Sequence, residues 1–176
     1  MDWAIKRQWA CFGIRRENSY EEGSVHIQNV LVVVRASDGQ LELLRQAAPE
    51  ARVIRQSVKT LEPCQVEQAD VVVGNIPEKF FPYMKNTRLL QLNTSGVAKR
   101  YLDLAKGMPG LVLCSASGAY GPAISEHMMG ALLMLMKHFH RYRDDQRSES
   151  WQDRGEVRSV LGSKVLAVGM GDIGTH

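Results

Sequence analysis

Residues 29–50 read NVLVVVRASDGQLELLRQAAPE. Val30 to Val34 is an unbroken run of valine and leucine, the composition of a strand buried on both faces. Ser37-Asp38 can cap a helix. Leu41, Leu44 and Ala48 then recur at helical spacing, and Pro49 ends the helix. A strand feeding a helix of this kind is one half of a βαβ unit.

The same alternation continues downstream. Arg52-Val53-Ile54 is a second, weaker strand, and a polar segment containing Pro63 leads to a third at Asp70 to Val73. Gly74-Asn75-Ile76-Pro77 forms its exit loop. A short helical or irregular piece carries Phe80, Phe81, Tyr83 and Met84. Arg88 to Leu92 is a fourth strand, leaving through Asn93-Thr94-Ser95-Gly96. Tyr101 to Lys106 is a short helix closed by Gly107, and Leu111 to Cys114 is a fifth strand. Strands alternating with helices at this spacing predict an α/β fold with a mostly parallel sheet. Five strands in one such domain predict the flavodoxin-like order 2-1-3-4-5.

Residues 1–28 show no clean period and read as an irregular extension. Residues 29–121 form the flavodoxin-like domain. After the loop Ser117 to Pro122, one long helix is expected from 122 to 147, with Pro122 placed to start it. Ile124, Met128, Ala131, Leu132, Leu135, Phe139 and Tyr142 make its apolar stripe. Met129, Leu133, Met134 and Met136 widen that stripe almost all round, which predicts burial on several sides. Trp151 to Val160 is polar, and a further strand is expected at Val165 to Val168.

That strand runs into Gly169-Met170-Gly171-Asp172-Ile173-Gly174. The spacing fits a dinucleotide phosphate loop. The first glycine allows a tight turn, the second lets backbone approach a pyrophosphate, and the third lets helix pack on strand. The N–H groups at the start of the following helix would face the phosphates. The two confirming features, a following helix and an acidic residue about 20 positions on, are missing from these 176 residues. The motif alone therefore leaves a glycine-rich turn as the other reading.

The bulk numbers exclude several classes. The chain has 176 residues, 44% hydrophobic and 23% charged, with net charge +3. The charges are interspersed, without the basic stripe that nucleic-acid binding requires. No signal peptide and no run of about 20 apolar residues is present, so neither export nor membrane insertion is expected. Cys11, Cys64 and Cys114 lack metal spacing, and free thiols fit a reducing cytoplasm. No base is placed by any motif beside Ser117, Ser125 or Cys114 to make a nucleophile. His26, His127, His138, His140 and His176 fall in no catalytic motif. Glu126 and His127, being adjacent, diverge on a helix. No metal site is expected.

Three stretches together resemble one family. LQLNTSGVAKRYLDL is similar to the substrate-side loop of the D-isomer-specific 2-hydroxyacid dehydrogenases. SGAYGPAISEHMMGALLMLMKHFHRYRDDQ resembles their crossover helix, and LGSKVLAVGMGDIG their nucleotide loop. The resemblance covers about residues 29–174.

It implies a flavodoxin-like substrate-side domain followed by the crossover helix and the start of a Rossmann domain over 122–176. The implied cofactor is NAD or NADP, the implied partner a small 2-hydroxy or 2-keto acid, and the implied reaction hydride transfer. Gly169, Gly171, Asp172, Ile173 and Gly174 match the phosphate loop. Ser95, Gly96 and Val97 match the loop whose N–H groups approach the substrate carboxylate, and Gly74 and Asn75 match a second substrate-side loop more loosely.

The family's catalytic arginine, acidic residue and histidine fall after the glycine loop and have no counterpart in these 176 residues. No catalytic residue is therefore assigned. The chain by itself is expected to be inactive, with weak or absent cofactor binding. The alternative is a non-catalytic binding or dimerisation module, a homodimer formed through the 122–147 helix.

Overall fold

The computed structural model describes residues 26–176. Most of the predicted extension, with Cys11, lies outside the described residues. The described residues divide into two compact units, 26–118 and 119–176.

The first unit is a five-stranded parallel sheet in the order β2-β1-β3-β4-β5. Its strands are β1 (Asn29–Val32), β2 (Arg52–Arg55), β3 (Val71–Val73), β4 (Leu89–Gln91) and β5 (Val112–Cys114). The helices are α1 (Asp38–Ala47), α2 (Pro63–Glu67) and α3 (Lys99–Gly107), with a 3₁₀ turn at Glu78–Tyr83. The order is the one the alternating pattern predicts. Helix α2 forms where only a polar segment was expected. Pro63 sits at its first position, and Glu62 and Gln65 make a capping box, so local capping supplies what a short apolar period could not show.

Register explains the core. Val30, Leu31 and Val32 pair with Val71, Val72 and Val73 in turn. Side chains alternate across a strand, so Leu31, Val33, Val72, Leu90 and Leu92 join one cluster with Ile76, Phe80, Met84 and Tyr101. Val30, Val32 and Val71 pack with Leu41 of α1 on the other side. Both faces are covered, as a parallel sheet requires. Ser37 caps α1 as expected: its hydroxyl accepts from the Gln40 N–H, and the Gln40 side chain accepts from the Ser37 N–H at 2.8 Å.

The second unit departs from expectation three times, first in burial: Met128, Met129, Leu132, Leu133, Met134 and Leu135, expected to be covered on several sides, are all exposed, because no described element of the unit packs over them. The long helix is two helices, α4 (Gly121–Met136) and α5 (Phe139–Arg147). His138 stands between them in the left-handed region, with φ 57°. The Lys137 N–H still reaches Leu133 O, whereas the Arg141 and Tyr142 N–H groups start afresh on His138 O. A left-handed residue after the last turn is a standard helix stop. The sequence pattern does not mark this stop, because histidine takes the place usually held by glycine and the apolar spacing runs on through it.

The expected strand at Val165 to Val168 does not form. Strand N–H and C=O groups need a ladder partner. No described strand pairs with this segment, and Val165, Leu166 and Val168 are almost fully exposed.

Candidate functional site

In the order β2-β1-β3-β4-β5, successive strands leave β1 in one direction and β3 in the other. The carboxyl ends of β1 and β3 therefore flank the topological switch point, where open parallel sheets hold ligands. Gly74 sits there, immediately after β3. Its φ is +118°, and a Cβ at this position would come 2.8 Å from Val34 N and 2.9 Å from Val33 Cγ2. Only glycine lets the third strand leave so close to the first. The Gly74 N–H donates to Gln91 O at 2.8 Å, the last backbone rung between β3 and β4.

Beyond that rung, side chains hold the two exit loops together. The Asn75 N–H donates to Asn93 Oδ1 at 3.0 Å, and the Asn93 N–H donates to Asn75 Oδ1 at 3.1 Å. The Thr94 carbonyl accepts from the Ala116 N–H at 2.9 Å, tying the same loop to the exit of β5. Tyr101, 2% exposed, donates its O–H to Ile76 O at 2.9 Å and so fastens α3 to the β3 exit loop.

The predicted substrate-side residues are thus brought together. Gly74 and Asn75 lie on one loop, and Ser95, Gly96 and Val97 lie on the adjoining one. The N–H groups of Ser95, Gly96 and Val97 make no hydrogen bond among the described residues. Ser95 and Gly96 are exposed and Val97 is half-buried. Helix α3 begins two residues later with no side-chain cap, and its first turn holds Lys99 and Arg100 with no acidic residue. The Arg100 side chain lies 3.8 Å from Glu78 and stacks on the Tyr101 ring. Three free N–H groups beside an uncapped helix start favour an anion. Residues 74–76 and 93–97 include no titratable side chain, so the loops can bind and orient a ligand but cannot move a proton.

Asn93, Thr94 and Tyr101 were not singled out from sequence as functional. Short polar residues after a strand signal local backbone bonding. The bonds between Asn75 and Asn93, however, cross 18 positions, and no periodicity reports them.

The predicted phosphate-loop residues lie in the second unit. Gly169 has φ +102°, and a Cβ on Gly174 would run into the Gly169 carbonyl oxygen. These two positions require glycine, as the fingerprint does. Gly171 faces open space. The Thr175 N–H donates to Gly171 O at 3.1 Å, closing a turn around Asp172 and Ile173. The N–H groups of Gly171, Asp172 and Ile173 make no hydrogen bond among the described residues. These N–H groups are unpartnered, but neither the preceding strand nor a following helix that would aim them at a phosphate is formed.

Other features do not join these loops. A cavity of about 650 Å³ is lined by Arg35, Ala36, Ser37, Gln40 and Arg55, none of them a predicted site residue. Arg55 there is already bonded to Ala36 O at 2.9 Å. Among the described residues no cluster of His, Cys, Asp and Glu could hold a metal ion. No described helix is long and apolar enough to cross a membrane.

No protein-family model and no curated protein sequence matches the chain. Solved structures do. A D-isomer-specific 2-hydroxyacid dehydrogenase family protein from Aeromonas salmonicida is 23% identical, with TM-score 0.69, over 83% of this chain and 47% of its own. D-Lactate dehydrogenase from Aquifex aeolicus, complexed with NAD and lactic acid, is 16% identical, with TM-score 0.64, over 84% and 46%. A D-isomer-specific 2-hydroxyacid dehydrogenase from Xanthobacter autotrophicus, in complex with NADPH and MES, is 18% identical, with TM-score 0.58, over 85% and 48%. The chain has the fold of these dehydrogenases and spans about half the length of the structures it matches.

Proposed function

We propose that this chain supplies the substrate-side domain, residues 29–121, and the opening of the nucleotide-binding domain, residues 122–176, of a cytoplasmic NAD(P)-dependent oxidoreductase acting on D-2-hydroxy acids. The observation that carries the reading is the row of three unpartnered N–H groups on Ser95, Gly96 and Val97, beside Gly74 at the switch point of the sheet. A 2-hydroxy or 2-keto acid presents a carboxylate, and backbone N–H groups bind carboxylates without needing a charged side chain.

In this reading Ser95, Gly96 and Val97 hold the carboxylate, while Gly74 and Asn75 shape the wall beside it. Gly169, Gly171, Asp172, Ile173 and Gly174 offer backbone to the cofactor phosphates. The nicotinamide cofactor, when bound, supplies hydride chemistry. Nothing in residues 74–76 or 93–97 can exchange a proton, so these residues bind and orient only.

The 176 residues by themselves are therefore expected to bind a small 2-oxo acid weakly, to bind NADH or NADPH poorly, and not to turn over. Poor cofactor affinity follows from a phosphate loop without a formed strand or helix to preorganise it. The test mixes the chain with NADH or NADPH and a panel of 2-oxo acids and follows nucleotide absorbance. Steady oxidation above the protein-free control would overturn the assignment of roles.

One observation favours a second reading, a module that pairs with another copy of itself. Met128, Met129 and Leu135 of α4 and Phe139 of α5 are each at least 50% exposed. Large apolar side chains exposed in this number favour an interface. Light scattering that finds a monomer at high concentration would remove it.

A further inference from the structure

Three hydrogen bonds run in series through the two exit loops. Asn75 Nδ2 donates to Thr94 Oγ1 at 3.4 Å, and Thr94 Oγ1 donates to Gly96 O at 2.9 Å. The third, from the Asn93 N–H to Asn75 Oδ1 at 3.1 Å, fixes which end of the Asn75 amide faces Thr94. Its oxygen is committed to Asn93, so its NH₂ turns to the hydroxyl. A threonine hydroxyl has one proton and two lone pairs. Accepting from Asn75 leaves its single proton for Gly96 O.

We infer that Thr94 is a positioning residue that aims the Val97 N–H out of the loop. The peptide joining Gly96 to Val97 is planar and trans, because no peptide bond among the described residues is cis. Its C=O and N–H therefore point in opposite directions. Drawing Gly96 O towards Thr94 turns the Val97 N–H away from Thr94, and that N–H has no partner among the described residues. No other hydrogen bond among the described residues holds this peptide plane; the Val97 side chain packs on the core, which anchors that residue without setting which way the Gly96 carbonyl turns. Gly96 has the freest backbone of any residue, and a Cβ there would meet nothing within 4 Å. Thr94 can impose the direction because its own backbone is fixed, with its carbonyl held by the Ala116 N–H at 2.9 Å.

The functional part of the inference rests on Ser95 to Val97 being the carboxylate loop. A row of N–H donors binds a carboxylate only if the donors converge. The hydroxyl of Thr94 would thus set affinity without touching the ligand.

The test uses the full chain, isotope-labelled, as wild type, T94V and T94S. Residual dipolar couplings read the direction of the Val97 N–H, and those of the sheet residues report that the fold is kept. In T94V the Val97 coupling is expected to change or average towards zero, and in T94S to match wild type. Oxamate, a small 2-oxo acid analogue, is the ligand probe. Its affinity is expected to fall at least about tenfold in T94V and to recover in T94S, the effect of losing one well-aimed hydrogen bond to a charged group. An unchanged Val97 coupling in T94V, or failure of T94S to restore it, overturns the role of the hydroxyl. A changed coupling with unchanged oxamate affinity overturns its effect on binding. A changed coupling in T94V, with no oxamate binding even to wild type, instead overturns the carboxylate reading and leaves the orienting bond standing.

Discussion

The phenol of Tyr101 donates a 2.9 Å hydrogen bond to the carbonyl oxygen of Ile76, and both residues are buried. This bond fastens α3 to the loop that leaves β3. Removing the hydroxyl alone, in Y101F, keeps the ring in the core and leaves a buried carbonyl without its partner. The expected cost is about 1–3 kcal/mol. Urea unfolding of the variant against wild type measures it.

Gly74 and Gly96 flank the same site but tolerate change differently. G74A must place a Cβ 2.8 Å from Val34 N at φ +118°. Both the clash and the left-handed backbone oppose it, and a loss of about 2–4 kcal/mol is expected. G96A meets open space and should shift stability by about 0.5 kcal/mol or less. Paired urea midpoints decide the matter, and equal losses would show that the close approach of β1 and β3 is misread.

Of the two ion pairs among the described residues of the second unit, Arg143–Asp144 is exposed at both ends and Arg154–Asp145 has a buried carboxylate. Arg154 grips Asp145 through both carboxylate oxygens, with Nε at 2.7 Å from Oδ2 and Nη2 on Oδ1. The hydrogen bonds from Arg154 hold the Asp145 carboxyl below its ordinary 3.8, against the burial that would raise it. A depressed carboxylate contributes stability above its unfolded-state value and loses it as pH falls through the lower folded value. Acidification below about pH 4 should therefore loosen the end of α5, where the Ser148 and Ser150 N–H groups bond to Asp145 O. Carbon-detected titration should place the Asp145 midpoint under that of a free aspartate. In R154Q the midpoint should rise, because burial is then less opposed.

Much of the sheet is legible in the sequence because each strand is a short run of apolar residues and each turn is marked by Gly, Pro, Asn or Ser. Val30 to Val34 and Asp70 to Val73 read as buried strands for that reason, and the order follows from the alternation. The break at His138 was hidden, since the residue that stops α4 is neither Gly nor Pro. The segment Val165 to Val168 has a strand's composition without a strand's partner, and composition cannot report a missing neighbour. The candidate site was half legible. Gly74 and Asn75, and Ser95, Gly96 and Val97, were named from their motifs, and they lie on the adjoining exit loops of β3 and β4. The clamp between Asn75 and Asn93 and the hydroxyl of Thr94 depend on loops meeting in space.

The central claim is that the exits of β3 and β4 form a carboxylate site. Its most direct test is an amide NMR titration of the labelled chain with oxamate. The account predicts saturable shifts centred on Ser95, Gly96 and Val97, with smaller ones at Gly74 and Asn75. Shifts confined to other parts of the chain, or none at high oxamate, would contradict it.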